Sequence, residues 1–432
     1  VVKKFYIIAG GTMVHIAPHF SLCAPAYGTI GKQILAGVDP GPDTQVIRLF
    51  TTMADQNLLS PAREVLSKAG VDRLETNEDL TKVIRYLVSQ KDTRCIVMAA
   101  AVCDFEPEAL SGKRDTFFGK DSPRLSSKEK YTLMLRPAEK ILSMIRMIRK
   151  DIFLAAFKTT AGLTPEETYE HGLKLLKRSS ANLVFANDIR SHHNVVITPE
   201  EFPYHASSRE EAVKTFSEMI AARTKLHFVR TKVVDGLRID PQFLANENAI
   251  PSNFLPVLRH LIAARAYKPF LGKTSGHFGC KVWGKEFKTI TSCRKEDHNQ
   301  VLRVGMAKIL DVTDKYITAM GGRPSVGEHT QQAIYKTLGD KVHSIVHFHS
   351  PLRVSNVLPS APQKHFECGS VECGNNTASS MKEIQPGIFC SYLEGHGPNI
   401  AFHKDVDSDK VVKFINDHFI VSDKTGGALN ES

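Results

Sequence analysis

The chain has 432 residues, 42% of them hydrophobic and 24% charged, with a formal net charge of +10. That length exceeds one ordinary core, so two domains are expected, and the apolar fraction suffices to fill both. No run of about 18 apolar residues occurs and Val1 to Ile8 is too short for a secretory core, which predicts a soluble cytoplasmic protein and no membrane span.

From the N-terminus, Lys4–Ala9, Gln45–Phe50, Arg94–Ala101, Asp151–Phe157 and Ala181–Ala186 are apolar runs of strand length. Between them lie helical stretches such as Asn77 to Ser89, and Thr164 to Arg178 with Thr164-Pro165-Glu166-Glu167 as a capped start. This alternation predicts an α/β, Rossmann-like, mostly parallel sheet covered on both faces. Ligands of such sheets bind beyond the C-terminal ends of the strands. The unusual residues fall there. The first strand runs into Gly10-Gly11-Thr12, whose backbone N–H groups can approach an anion closely. Gly28 and Gly31 open the first helix, where the dipole and free N–H groups favour phosphate. Neither a G-x-G-x-x-G fingerprint nor a Walker pattern is present. The charge excess is dispersed and no nucleic-acid recognition motif accompanies it, so small phosphorylated metabolites are the expected partners.

Several of these residues resemble a known set in order and spacing. They are Gly10-Gly11-Thr12, Gly28 to Gly31, Ala99-Ala100-Ala101-Val102-Cys103-Asp104-Phe105 and Arg124-Leu125-Ser126-Ser127. Ala156-Phe157-Lys158-Thr159-Thr160 and Val184-Phe185-Ala186-Asn187-Asp188 complete it. Over about 200 residues the pattern resembles phosphopantothenate–cysteine ligase, a coenzyme A pathway family. The resemblance implies attack of the 4′-phosphopantothenate carboxylate on the α-phosphate of ATP or CTP, held with Mg2+, and then displacement of the nucleotide by the cysteine amine. It assigns Gly10, Gly11, Thr12, Gly28 and Gly31 to the phosphates, and Phe157 and Asn187 to the nucleoside. Ala100, Ala101 and Asp104 meet the pantothenate arm, while Arg124 and Lys158 supply charge. One departure stands out: the family has an Asn in the loop before the second glycine pair, and this chain has Ala24-Pro25-Ala26. Loss of one such donor commonly costs roughly a hundredfold in rate. The first half is therefore expected either to ligate or only to bind nucleotide.

The stretch 226–252, with Asp240-Pro241 and Ile250-Pro251-Ser252, has the composition of a linker. The expected domains are 1–225 and 253–432, the second beginning with a helix from Phe254 to Arg265. Further on, Val342 to His349 alternates as a strand, which turns His347 and His349 toward one side. With His396, held in the Gly-flanked turn Glu394-Gly395-His396-Gly397, they can hold one divalent ion by three nitrogens and leave a position open. Imidazole ligands favour zinc. Glu328, in Pro324-Ser325-Val326-Gly327-Glu328, would be the acid/base beside it. The bland alternative is that these are ordinary histidines, since an isolated HxH is weak evidence.

The order PS-x-x-E, HxHSP, GHG resembles the class II aldolase/adducin family from Gly272 to Gly279 forward to about Phe419. The resemblance implies an aldolase-like α/β domain, with His347, His349 and His396 as ligands and Glu328 as base. Thr274, Ser275 and Ser325 are implied anion contacts. His277 and Gly279 stand where the family turn carries Asn and Ser, and an extra residue separates Ser325 from Glu328. Three function classes follow: an enzyme active in one or both halves, a metal-free adducin-like scaffold, or a dehydratase or epimerase on the same fold. Cys368 and Cys373 match no zinc spacing, and eight scattered cysteines predict thiols in a reducing compartment. Both resemblances imply a homo-oligomer. The tail from Ser422 reads as a frayed end.

Overall fold

The computed structural model describes residues 2–110, 118–294, 296–353 and 358–421. The tail from Ser422 lies outside them. The chain divides into two compact units, Val1–Ile197 with Tyr204–Thr224, and Thr198–Pro203 with Lys225–Ser432.

The first unit contains strands β1 (Lys3–Gly11), β2 (Met13–Ala17), β3 (Phe20–Cys23), β4 (Thr44–Phe50), β5 (Thr93–Ala101), β6 (Phe105–Leu110) and β7 (Leu133–Pro137). They are followed by β8 (Phe153–Thr160), β9 (Leu183–Asp188), β10 (Asn194–Ile197) and β11 (Pro203–Ala206). Its helices are α1 (Thr29–Gly37), α2 (Ser60–Lys68), α3 (Asn77–Ser89), α4 (Ile141–Ile148), α5 (Pro165–Ser179) and α6 (Arg209–Arg223). Seven strands form one sheet in the order β11-β10-β9-β8-β5-β1-β4. The run β4-β1-β5-β8-β9 is parallel, and β10 turns back against β9. Alternate residues serve the two faces. Phe5, Ile7, Val97, Ala155 and Phe185 join a core with α1 and α6, while Tyr6, Ile8, Ile96, Leu154 and Val184 are equally buried on the other side. The strands are therefore continuous apolar runs, as both faces of a parallel sheet are covered. Capping boxes start α3 (Thr76 with Asp79) and α5 (Thr164 with Glu167).

The second unit has strands β12 (Arg230–Val234), β13 (Pro269–Phe270), β14 (Lys273–Thr274), β15 (His277–Lys281), β16 (Thr289–Thr291), β17 (Ala307–Val312) and β18 (Tyr316–Met320). Then come β19 (Ser344–His347), β20 (Ser360–Ala361), β21 (Lys382–Gln385), β22 (Ile388–Leu393) and β23 (Gly397–Phe402). The helices are α7 (Pro241–Asn246), α8 (Phe254–Ala263), α9 (Val301–Val304), α10 (Glu328–Leu338), α11 (Val371–Ser380) and α12 (Ser408–His418). A ten-stranded, mostly antiparallel sheet runs β12-β18-β17-β16-β15-β19-β23-β22-β20, with β21 on β22. The stretch 226–252, with its linker composition, carries β12 and α7, and β12 pairs with β18. Period-two alternation again divides the faces. Val346, Ile400, Phe402 and Cys390 pack with Phe254, Leu258, Val411 and Phe414 of α8 and α12. Ile345, Ala401 and Phe389 pack with Ile334 and Tyr335 of α10 and Ala378 of α11. His347 is two residues beyond Ile345, so it belongs to the α10 face.

Among the described residues no helix is long and apolar enough to cross a membrane. All eight cysteines are thiols.

Candidate functional sites

In the first unit the parallel strands bring their C-terminal ends to one edge of the sheet. The chain leaves β1 for β4 on one side and returns to β5 on the other, so the topological switch lies between β1 and β5. Gly10 pairs with Ala100 and Gly11 with Ala101 across that gap. Gly10 has φ 101, a conformation few side chains adopt. A Cβ on Gly11 would lie 1.9 Å from the Ala24 carbonyl oxygen, so the loop bearing Ala24 closes directly over the glycine. The Gly11 N–H donates to Ala26 and the Thr12 N–H to Ala101. Thr12 is fully buried: its hydroxyl donates to Asn77 Oδ1 at 2.6 Å and accepts from the Cys103 N–H at 2.8 Å. The Asn77 amide in turn donates to the Cys103 carbonyl at 2.8 Å. Thr12 thus knits the ends of β1 and β5 to the start of α3.

Gly28 is the N-cap of α1, with no side-chain cap. Gly31, one turn in, lets the helix lie on the sheet, because a Cβ there would be 2.3 Å from that of Ala9. Further along the edge, Phe157 stacks on Phe185 at 5.2 Å and meets Phe216 edge-on at 5.2 Å. Lys158 is half-buried on β8, beside Ala186. Asn187 is buried and accepts from the Thr159 hydroxyl at 3.3 Å. The next residue, Asp188, accepts from the Ser191, Arg190 and Leu163 N–H groups and the Thr160 hydroxyl, and these hold its carboxyl well below the usual range. Asp104 is exposed and pairs with Lys140 at 2.7 Å. Arg124 is exposed in a loop.

The second unit holds the cluster. His347, His349 and His396 are all buried, and one ligand atom from each lies within 4.8 Å of the others. The strand alternation expected through His349 ends at His347, where pairing with β15 and β23 stops. Pro351 follows, which has no N–H to continue a ladder. His349 still stays with the cluster, its ring centroid 5.2 Å from that of His347 and 4.9 Å from that of His396. Nδ1 of His347 donates to the Pro398 carbonyl at 2.8 Å, which leaves the Nε2 lone pair directed at Nε2 of His396, 3.2 Å away. Two nitrogens on a tetrahedral zinc at ~2.05 Å would stand about 3.3 Å apart. Burial lowers the His347 pKa to about 4, so the ring is neutral at neutral pH, the form a metal requires. The residues fit a divalent ion.

Glu328 is the first residue of α10 and is 1% exposed. Oε1 accepts from Gln332 at 2.6 Å, while Oε2 is buried without a hydrogen-bond partner. Burial raises its pKa to about 7 against the pull of Gln332 and Thr291. Thr274 donates to the Glu296 carbonyl and accepts from the His298 N–H, both at 2.9 Å. Ser275 donates to Glu201, and Ser325 accepts from the Gly327 N–H at 3.3 Å. Sequence reasoning missed Gln331 and Gln332, although positions three and four after Glu328 share its helix face. It also missed that His277 lies opposite His347, which depends on strand register.

The profile of the DNA/pantothenate metabolism flavoprotein C-terminal domain family matches residues 3–224. The coenzyme A biosynthesis bifunctional protein CoaBC of Thermococcus kodakarensis is 25% identical over 205 residues, which cover 46% of this chain and 46% of that protein. The chain spans less than half the length of the curated relatives it matches. The DNA/pantothenate metabolism flavoprotein from Streptococcus pneumoniae has 20% identity and a TM-score of 0.42, covering 51% of this chain and 99% of that one. The C-terminal region is similar in structure to L-fuculose-1-phosphate aldolase from Thermus thermophilus, with 14% identity and a TM-score of 0.26 over 36% of this chain and 81% of that one. With 222 of its 432 residues inside the matched profile, the chain belongs to the DNA/pantothenate metabolism flavoprotein C-terminal domain family.

Proposed function

We propose that this chain is an enzyme with two chemistries, divalent-metal lyase chemistry of the class II aldolase type in residues 253–432 and nucleotide-dependent ligation of the phosphopantothenate–cysteine ligase type in residues 1–225. The observation that carries the reading is the meeting of three buried imidazoles within 4.8 Å. His347, His349 and His396 would hold the ion, with zinc favoured by the all-imidazole set. When bound, it supplies Lewis acidity toward a substrate carbonyl. Glu328 then moves the proton: a carboxyl with a pKa near 7 is ionised in half the molecules at neutral pH and can take a proton and return it. Thr274, Ser275 and Ser325 are proposed contacts for a substrate anion, Thr274 and Ser275 exchanging a present donation for it and Ser325 using a hydroxyl that at present accepts from Gly327.

In the first unit, family membership and the convergence of Gly10, Gly11, Ala100 and Ala101 at the switch point support the ligase reading. The glycines and the open N-terminus of α1 would face phosphates of ATP or CTP, with Mg2+. Phe157 and Asn187 would face the nucleoside, and Asp104 the pantothenate arm. Arg124 and Lys158 would offset charge on the leaving pyrophosphate. A second reading, nucleotide binding without ligation, is favoured by Ala24, whose methyl side chain cannot donate to an acyl-phosphate. The partners are small phosphorylated metabolites, and the expected assembly is a homo-oligomer.

Metal content of the purified protein beside His347→Ala tests the first reading: near-stoichiometric zinc lost in the variant supports it, and no metal in either overturns it. Pyrophosphate release with 4′-phosphopantothenate, cysteine and ATP or CTP tests the second. Turnover makes the first unit a ligase; silence in the native chain with rescue by Ala24→Asn leaves it a nucleotide-binding unit.

A further inference from the structure

A fourth imidazole belongs to the histidine cluster without being one of its ligands. His277 is 3% exposed, stands opposite His347 in the β15–β19 register, and has its ring centroid 4.8 Å from that of His347. Gln331 on α10 holds its ring. The amide nitrogen of Gln331 lies 2.9 Å from His277 Nδ1 and 3.2 Å from the Thr291 hydroxyl. An amide nitrogen only donates, so Nδ1 is the acceptor and the hydrogen of the neutral ring sits on Nε2.

Nε2 of His277 has no hydrogen-bond partner among the described residues. The ring edge that carries it lies against Gly327, where an added Cβ would be 1.8 Å from Cδ2 and 2.2 Å from Nε2. The ring therefore fills the space that a side chain at 327 would take, one residue before Glu328. A nitrogen that bears hydrogen has no lone pair for a cation. His277 also lies outside the group whose ligand atoms meet within 4.8 Å of one another, His347, His349 and His396.

We propose that His277 is a non-ligating donor of this site. Its Nε2–H serves an oxygen of a carbonyl or carboxylate ligand, and Gln331 is the positioning residue that fixes its tautomer. The donor role rests on the metal reading above; the tautomer does not.

The test uses the full chain. Long-range 1H–15N correlation on metal-free, 15N-histidine-labelled protein is expected to show a bare Nδ1 and a protonated Nε2 for His277, reversed in Gln331→Glu, whose carboxylate can only accept. Cobalt(II) titration followed by visible absorption measures metal affinity in the native chain and the variants. Glycolate is the oxygen-ligand probe on the cobalt form. His277→Phe should weaken it at least about tenfold with cobalt affinity within about threefold, and His277→Gln, which keeps a donor, should retain it. A protonated Nδ1 in the native chain overturns the proposal. So does a loss of cobalt affinity in His277→Phe as steep as in His347→Ala. Absence of cobalt binding by the native chain overturns the metal reading and the donor role together, while the tautomer result stands by itself.

Discussion

Nε2 of His347 faces Nε2 of His396 at 3.2 Å, with the far side of the His347 ring anchored on the Pro398 carbonyl. Two ring nitrogens at that distance either share a hydrogen or direct both lone pairs at one cation. A cation that binds the folded unit alone stabilises it by about 2.7 kcal/mol at a hundredfold excess over Kd. Zinc is therefore expected to raise the thermal midpoint of this unit by about 5–10 °C. His396→Ala should abolish the shift. An equal shift in that variant would locate the binding elsewhere.

Glu328 predicts a pH dependence of stability. Its carboxyl binds the proton more tightly in the folded protein, with a pKa of about 7, than in the unfolded chain, at the ordinary 4.5. The stabilisation is fully present below about pH 4.5 and is lost as pH rises through about 7, for a total of about 3 kcal/mol. In chelator-treated protein the thermal midpoint should fall between pH 5 and 8.5 by several degrees more in the native chain than in Glu328→Gln. Parallel curves for the two would show that Glu328 does not carry the dependence.

Gly31→Ala tests how closely α1 must lie on β1. The added methyl would stand 2.3 Å from Ala9 Cβ, a short and rigid neighbour that cannot swing aside. Displacing the helix is expected to cost about 1–3 kcal/mol. Denaturant midpoints measure it, and because Gly31 has no left-handed φ the loss reports crowding without backbone strain. No loss in Gly31→Ala would mean that the helix shifts freely.

The legible parts of the sequence are those in which local chemistry decides. Helix α3 begins at Asn77 and α5 at Pro165 because Thr76 with Asp79 and Thr164 with Glu167 close their first turns, and three-residue spacing is visible in the chain. That His347, His349 and His396 could meet was legible for the same reason, through a two-residue spacing and a Gly-flanked turn. The end of β19 was not, because strand length there depends on where two neighbours stop pairing. His277 read as a departure from a phosphate turn, and its place beside His347 follows only from the register of strands 70 residues apart in sequence. The fold of stretch 226–252 was hidden similarly: turn-forming residues dominate it, yet β12 finds its partner in Tyr316–Met320.

The buried hydroxyl of Thr12 serves Asn77 and the Cys103 amide at once, at the edge of the sheet where a ligand would arrive. Loops at such edges usually open readily and exchange their amide hydrogens fast. Here the Cys103 amide should exchange nearly as slowly as those of the central strands, although it lies beyond the last residue of β5. Slow exchange would show the rim of that edge to be ordered before anything binds. Association there would then forfeit little chain entropy, so its affinity would be set by complementarity and not by the cost of ordering a loop.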